Sequence, residues 1–264
     1  MKYIAVAKIL FKAQLAYRFD VIMTALGMIW RVVFAWILWG AIFAGTGEIS
    51  GFTFQAMLSY YVISSFLATM DMSEGTVREI SGRIREGTFS KFMVIPSNPQ
   101  LHFLSQTLGA SAYYGIFAAL AAAVSVLIFN IDLTIAIDPV VIPVAVALFL
   151  LGVLFMNSYQ FFFGLWAFKF QDMTFAIHLL PNIISFFKGE LVPLSLLPDA
   201  FVKLLRFSPF THMVYTPAML LIGRLDIYDG LFGVVVLAAW VFAMMAVSQF
   251  TYGKLRRKYE GVGI

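Results

Sequence analysis

The sequence predicts an all-α polytopic membrane protein with six transmembrane helices, and three observations lead to that class. First, 61% of the 264 residues are hydrophobic and only 12% are charged, about half the charged share of a typical soluble domain. Second, the chain contains six apolar runs of the length that crosses a bilayer. Third, lysine and arginine concentrate in alternate segments between those runs. The composition therefore argues against a soluble enzyme, whose core is too small for so many apolar side chains, and against a disordered chain.

An amphipathic helix in the inner headgroup layer is predicted for residues 1–20, ahead of the first span. Lys8 and Lys12 lie between apolar side chains there, a pattern typical of interfacial helices. The alternative for this segment is a frayed, solvated tail.

The six predicted spans follow from the need for about 20 apolar residues across a bilayer. They cover residues 21–44, 54–70, 102–129, 140–168, 173–197 and 231–252. The fifth run is interrupted by Pro181, Lys188, Glu190 and Pro193. Residues 210–222 are apolar but short and contain Pro217, so they predict a re-entrant or interfacial helix. No internal repeat or linker divides the chain, so residues 1–264 are predicted to form a single membrane domain.

The basic residues orient the chain. With the N-terminus inside, thirteen fall in inner segments: Lys2, Lys8, Lys12, Arg18, Arg78, Arg83, Arg85, Lys91, Lys169, Lys254, Arg256, Arg257 and Lys258. Four fall in outer segments: Lys188, Lys203, Arg206 and Arg224. Because inner segments are enriched in lysine and arginine, both termini are predicted to be cytoplasmic, with the protein in the plasma (inner) membrane. The same bias accounts for the net charge of +4, so no nucleic-acid partner is predicted.

The cytoplasmic loop over residues 71–99 is predicted to contain a charged helix with one apolar ridge. Val77, Ile80 and Ile84 fall on one face at helical spacing. Acid-first pairs at i and i+4 support the helix, and Gly87 is placed to end it. We expect the apolar ridge to be exposed and to dock on a partner protein. The alternative is a solvated linker.

Motifs for catalysis, nucleotide binding and metal binding are absent from the sequence. It contains no GxxxxGK[ST], HExxH or GxSxG motif and no cysteine. We therefore predict no catalytic, cofactor-binding or metal-binding residue on this chain.

Polar residues inside the apolar runs are the candidates for a substrate path, because such groups avoid lipid and face protein or a cavity. The candidates are Ser64, Asn157, Gln160, His178 and Asn182. The alternative is that these groups only form hydrogen bonds within the packed helices. Arg31 is the charge deepest inside a predicted span; it either snorkels to the cytoplasmic surface, makes a structural contact, or serves transport.

Two segments carry a resemblance to a known family. The run REGTFSKFMVIPS from Arg85 to Ser97 resembles the segment REGTLSxxLxxPxS of ABC-2 type permeases, the membrane subunits of a class of ABC exporters. The run GELVPLSLLP, which starts at Gly189, is followed by a Ser-Pro-Phe motif that ends at Phe210. It resembles the family's stretch between the last two spans. Lys188 stands where the family has a small residue, and Glu190 adds a charge.

The resemblance implies a permease subunit of an ATP-driven exporter that pairs with a second permease, either the same chain or a paralogue. Two copies of a separate ABC ATPase, which hold ATP and Mg, would bind below, and membrane lipids surround the assembly. The ATPase-coupling residues implied are Val77, Arg78, Glu79, Ile80, Arg83, Ile84, Arg85, Glu86 and Gly87. Residues 188–228 are implied to form an outer gate with Gly189, Glu190, Pro193, Pro198, Pro209 and Phe210. The alternatives are a membrane-embedded enzyme that acts on lipid and a secondary carrier.

Overall fold

The computed structural model describes residues 2–45, 47–94, 97–133, 135, 138–170 and 173–256. In this part of the chain the secondary structure is helical apart from an isolated bridge between Ile49 and Phe52. The α-helices are α1 (Lys2–Gln14), α2 (Arg18–Phe43), α3 (Phe54–Met70), α4 (Gly75–Arg85), α5 (Lys91–Val94), α6 (Pro99–Phe129), α7 (Val141–Leu165), α8 (Leu180–Phe187), α9 (Asp199–Leu205), α10 (Tyr215–Leu221) and α11 (Ile227–Leu255).

Four of the described helices are long and apolar enough to cross a membrane: Arg18–Phe43, Pro99–Phe129, Val141–Phe168 and Ile227–Leu255. At about 1.5 Å per residue each exceeds the roughly 30 Å of bilayer hydrocarbon. The first, third, fourth and sixth predicted spans are therefore confirmed as long apolar helices. The multi-pass, all-helical class is confirmed with them, while the full six-span topology stays a prediction.

The second and fifth predicted spans are shorter helices. Helix α3 has 17 residues and is followed by a 3-10 turn and α4 rather than by an open loop. The fifth is a π turn, Phe175–Leu179, that runs into α8. Pro181 has no backbone N–H to donate, so the regular ladder is interrupted at this point. The predicted helix over 173–197 is wrong in its second half, because α8 ends at Phe187 and Gly189 turns left-handed at φ 78°.

Helix α3 lies at the centre of the bundle. Eleven of its residues are buried, and it packs against α2, α6 and α10. Helix α7 packs mainly against α11 and α4. Because α3 is covered on several sides, its serine and tyrosine side chains face protein rather than lipid, as expected for polar groups in a membrane helix.

Helix α1 packs on α6. The Asn98 backbone N–H donates to the Tyr3 hydroxyl over 3.1 Å, and Phe11 meets Tyr113 edge to face at 5.4 Å. A side chain at Gly109 would overlap the backbone of Ala7, so this glycine lets the two helices touch. The predicted helix is thus present, and its position in the headgroup layer stays a prediction.

Candidate functional site

The apolar face of α4 is buried inside this chain. Val77, Ile80 and Ile84 are 1%, 0% and 6% exposed, so the expectation that they form an exposed docking ridge is wrong. Ile80 and Ile84 share a cluster with Phe161 and Leu165 of α7. The sequence pattern correctly indicated an apolar partner, but α7 occupies the place that was expected for another protein.

Gly164 permits this close packing of α4 on α7. A Cβ at Gly164 would lie 2.8 Å from the Ile80 Cβ, closer than carbon atoms approach in proteins. The left-handed Gly87 (φ 75°) ends the helix region, as predicted, and the Gly87 N–H donates to the Ile84 carbonyl.

The opposite face of α4 carries its charged side chains. Arg78, Arg85 and Glu86 are exposed. Glu79 and Arg83 are half-exposed and form an ion pair of 2.7 Å. The face available to another molecule is therefore charged, in contrast to the apolar face that holds α4 in place.

A buried carboxylate joins the end of α3 to the start of the α4 region. Asp71 Oδ1 accepts from the Ser73 backbone N–H at 3.1 Å and from the Ser73 hydroxyl at 2.6 Å. Its other oxygen accepts from Lys188 Nζ at 3.3 Å. One carboxylate thus caps the turn before α4 and binds the residue that follows α8.

Lys188 is buried and lies between two carboxylates. Its side chain is 3% exposed, with Asp71 at 3.3 Å and Glu190 at 3.6 Å. Its backbone carbonyl accepts from the Tyr215 N–H at 3.0 Å, which ties it to α10. A buried lysine persists only when opposite charges compensate it, and both carboxylates lie close enough to do so.

Two tyrosines of α3 hold the segment after Lys188. The Tyr60 hydroxyl donates to the Gly189 carbonyl at 2.7 Å, and the Tyr61 hydroxyl donates to the Leu191 carbonyl at 2.6 Å. A Cβ at Gly189 would lie 2.9 Å from the Tyr60 hydroxyl oxygen. Glycine is therefore required here both for its positive φ and for the close contact with Tyr60.

The predicted outer-gate residues occupy different surroundings. Glu190 joins the Lys188 cluster, whereas Phe210 packs between Phe155 and Tyr159 of α7, at 5.6 and 5.7 Å. Pro193 and Pro209 are buried and Pro198 is exposed. The segment 188–226 consists of short helices and turns, and its assignment as an outer gate stays a prediction.

His212 anchors this segment to its surroundings. Its ring nitrogens lie 2.9 Å from the Thr216 hydroxyl oxygen and 2.8 Å from the Arg206 carbonyl oxygen. Burial lowers the pKa of His212, which favours the neutral ring. A Cβ at Gly233 would overlap the ring, so α11 approaches the histidine closely.

A polar cavity of about 450 Å³ lies beside the Lys188 cluster. Its lining comes from α2, the end of α3 and the region around α8: Thr24, Arg31, Ala68, Thr69, Asp71, Met72, Glu74, Gly75, Asn182, Ser185, Lys188, Glu190 and Leu191. Arg31 lies near the middle of α2, about 20 Å from its first residue at 1.5 Å per residue. The cavity is therefore bordered by the centre of a candidate membrane span.

Arg31 belongs to this cavity. Its side chain is exposed, and among the described residues no hydrogen bond or ion pair is formed by its guanidinium. Arg31 is the fourteenth residue of α2, whereas it is the eleventh residue of the predicted span 21–44. The cavity offers the charge a polar environment without snorkelling to the helix end.

Among the five predicted substrate-path residues, Asn182 lines the cavity. Its amide donates to the His178 backbone carbonyl at 2.7 Å, so the imidazole takes no part in that contact. Ser64, Asn157 and Gln160 are buried elsewhere. The Asn157 amide donates to Thr76 at 3.3 Å and to Thr107 at 2.8 Å, which is hydrogen bonding between packed segments. The structure does not bring the five together.

Sequence reasoning missed that buried Asp71 and exposed Glu74 line one cavity with Lys188. Both fall in the predicted cytoplasmic loop over residues 71–99, and in the structure they follow closely on α3. The available signal was Lys188, a charge inside an apolar run, which requires a compensating carboxylate. Its partner lies 117 positions earlier, so no local pattern identifies it.

Comparison with known families gives one result. A family model described as "ABC-2 family transporter protein" matches residues 28–263. No match was found among curated proteins or among solved structures.

Proposed function

The chain belongs to the ABC-2 family of transporter proteins, and we propose that it is the permease subunit of an ATP-driven exporter. It is a multi-pass membrane protein of a transport family. Export as the direction, and coupling to a separate ATPase, are the parts of the proposal that go beyond family membership.

The position of α4 supports the coupling. Its apolar face is fixed on α7 by Val77, Ile80 and Ile84. On its charged face, Arg78, Arg85 and Glu86 are exposed. A force applied to that charged face therefore reaches α7. It also reaches α3, because only residues 71–74 separate α3 from α4. A solvated linker would lack both the buried face and this mechanical connection.

A second connection continues from α4 to the segment after α8. Ser73 and Lys188 both bind Asp71, and the Lys188 carbonyl binds the α10 backbone at Tyr215. A displacement of α4 thus changes the surroundings of residues 188–215. This series of contacts supports the role of that segment as a gate that responds to the ATPase.

The assembly proposed contains two permease subunits and two ATPase subunits, with ATP and Mg on the ATPases. The second permease is either another copy of this chain or a paralogue. The excess of lysine and arginine in inner segments supports cytoplasmic termini and a cytoplasmic charged face on α4. A cytoplasmic charged face on α4 would be accessible to an ATPase, which supports the proposed contact.

Charge reversal on α4 tests the coupling. Arg78→Glu and Arg85→Glu invert exposed charges without touching the buried face, so the permease should still insert and fold. We expect each variant to reduce binding of a co-expressed ABC ATPase by about tenfold, since close charge pairs at interfaces couple by 1.5 kcal/mol or more. ATPase co-purification and ATP-driven accumulation of substrate inside inside-out vesicles, which corresponds to export from the cell, provide the readouts.

Lys203→Glu is the matched control, because Lys203 is an exposed lysine on α9 and the charge change is the same. The control should leave ATPase binding unchanged. Normal ATPase binding and transport by both α4 variants would contradict the proposed coupling. ATP-driven release of substrate from the vesicle lumen, instead of accumulation, would contradict the direction alone.

A further inference from the structure

The polar cavity beside Lys188 carries an unbalanced charge. Three of its ionisable lining residues are acidic and two are basic, so its net charge is −1 when all five are ionised. Lys188 is already positioned between Asp71 and Glu190. Glu74, which is exposed, forms no ion pair among the described residues. Lys188 and, more weakly, Arg31 attract its carboxylate only at longer range.

An unpartnered buried hydroxyl belongs to a residue that lines the cavity. Thr69 is 5% exposed and lines the cavity, and its hydroxyl has no hydrogen-bond partner among the described residues. Buried hydroxyls are normally hydrogen-bonded, because an unmade bond costs free energy. The hydroxyl oxygen accepts a hydrogen bond, as the carboxylates of Glu74 and Glu190 do.

The geometry points to a binding site for a protonated amine carried on an apolar body. An ammonium group has three N–H donors and no acceptor, which matches one hydroxyl and two carboxylates. Ala68, Met72 and Leu191 supply apolar lining. A volume of about 450 Å³ accommodates a head group with the start of a chain and falls within the usual range of ligand pockets.

Two sources offer this chemistry. A cationic amphiphile carries the amine alone, whereas an aminolipid also carries a phosphate. Arg31, which lines the same cavity without a paired carboxylate, repels the first ligand and binds the phosphate of the second. Arg31 therefore distinguishes between the sources.

The inference rests on the proposed function in one respect, namely that the bound amine would be a transported substrate. Binding at the site itself is tested without ATP. Binding of radiolabelled dodecylammonium to the full chain in maltoside micelles is measured, with lysophosphatidylethanolamine and laurate as competitors. We expect Glu74→Gln to weaken dodecylammonium binding by about tenfold, because a charge-assisted hydrogen bond is lost. Thr69→Val should weaken it less, because the lost hydrogen bond involves a neutral group.

Arg31→Gln should strengthen dodecylammonium binding, because the net charge of the cavity becomes −2. Laurate should still fail to compete in this variant, which separates binding at the cavity from non-specific binding of an amphiphile to a misfolded chain. Glu48→Gln, at an exposed carboxylate outside the cavity, should change nothing. If Arg31→Gln weakens the binding of lysophosphatidylethanolamine, an aminolipid with a phosphate is the favoured ligand. If the same substitution strengthens that binding, a simple cationic amphiphile is favoured.

Equal competition by laurate, or unchanged binding in Glu74→Gln, would overturn the inference. Absent amine binding with intact ATP-driven transport would overturn the inference alone. Intact amine binding with no ATPase association would overturn the proposed function alone.

Discussion

Replacement of Lys188 with methionine should destabilise the protein more than replacement of Arg206, whose ion pair with Asp229 is shorter but exposed. Lys188 lies 3.3 Å from Asp71 and 3.6 Å from Glu190, with 3% of its side chain exposed. At an effective dielectric constant of about 20, each pair has a Coulomb attraction of about 5 kcal/mol. Desolvation offsets part of this, and removal of one partner of a buried pair costs about 3–5 kcal/mol. We therefore expect Lys188→Met to lower the free energy of unfolding by about 3–5 kcal/mol.

The comparison pair is Arg206–Asp229, whose atoms are closer at 2.7 Å but whose side chains are 53% and 39% exposed. Water screens such a pair, so it contributes about 0.2–1 kcal/mol. Arg206 also stacks over Phe232 at 4.7 Å, which adds about 0.5–1 kcal/mol. Arg206→Met should therefore cost about 1–2 kcal/mol. Reversible sodium dodecyl sulfate titration in mixed micelles, followed by tryptophan fluorescence, measures both variants.

A double variant tests whether the cost arises from the uncompensated carboxylate. Asp71→Asn removes one of the two charges that Lys188→Met leaves buried, while its amide oxygen can still accept from Ser73. The double variant should recover about 1–2 kcal/mol relative to the sum of the two single variants. The reasoning is refuted if Lys188→Met costs no more than Arg206→Met, or if the two single effects simply add.

Two further predictions concern the segment after α8 and the topology. Gly189→Ala should lower the free energy of unfolding by about 1–3 kcal/mol, since φ is 78° and the new Cβ would crowd Tyr60 and Tyr215; the same titration measures it. Gly27→Ala, where a Cβ meets nothing within 4 Å, should be neutral or stabilising by up to about 1 kcal/mol, and equal effects at both glycines would contradict the role of Gly189. Single cysteines at Lys91 and Asp199, in a chain that has none of its own, should react with impermeant maleimide from opposite sides of the membrane. Reaction of both from one side would exclude the six-span topology.

The amino-acid sequence alone determined the class of the protein and its longest helices. Continuous apolar runs have one stable arrangement in a bilayer, because a helix satisfies its own backbone hydrogen bonds. Local chemistry also determined several helix ends. Gly87 ends the α4 region with a left-handed backbone, and Asn98 caps α6 through the Gln100 N–H at 2.9 Å. Each of these signals acts within a few residues, so it is visible in the order of residues.

Tertiary structure alone decided which surfaces and charges meet. The spacing of Val77, Ile80 and Ile84 showed that α4 has an apolar partner, but a periodic pattern does not identify that partner. Lys188 required a counter-charge, and the pairing with Asp71 spans 117 positions of sequence. Burial and long-range ion pairing depend on how helices pack in three dimensions, and the free energy that selects one packing is a property of both surfaces together.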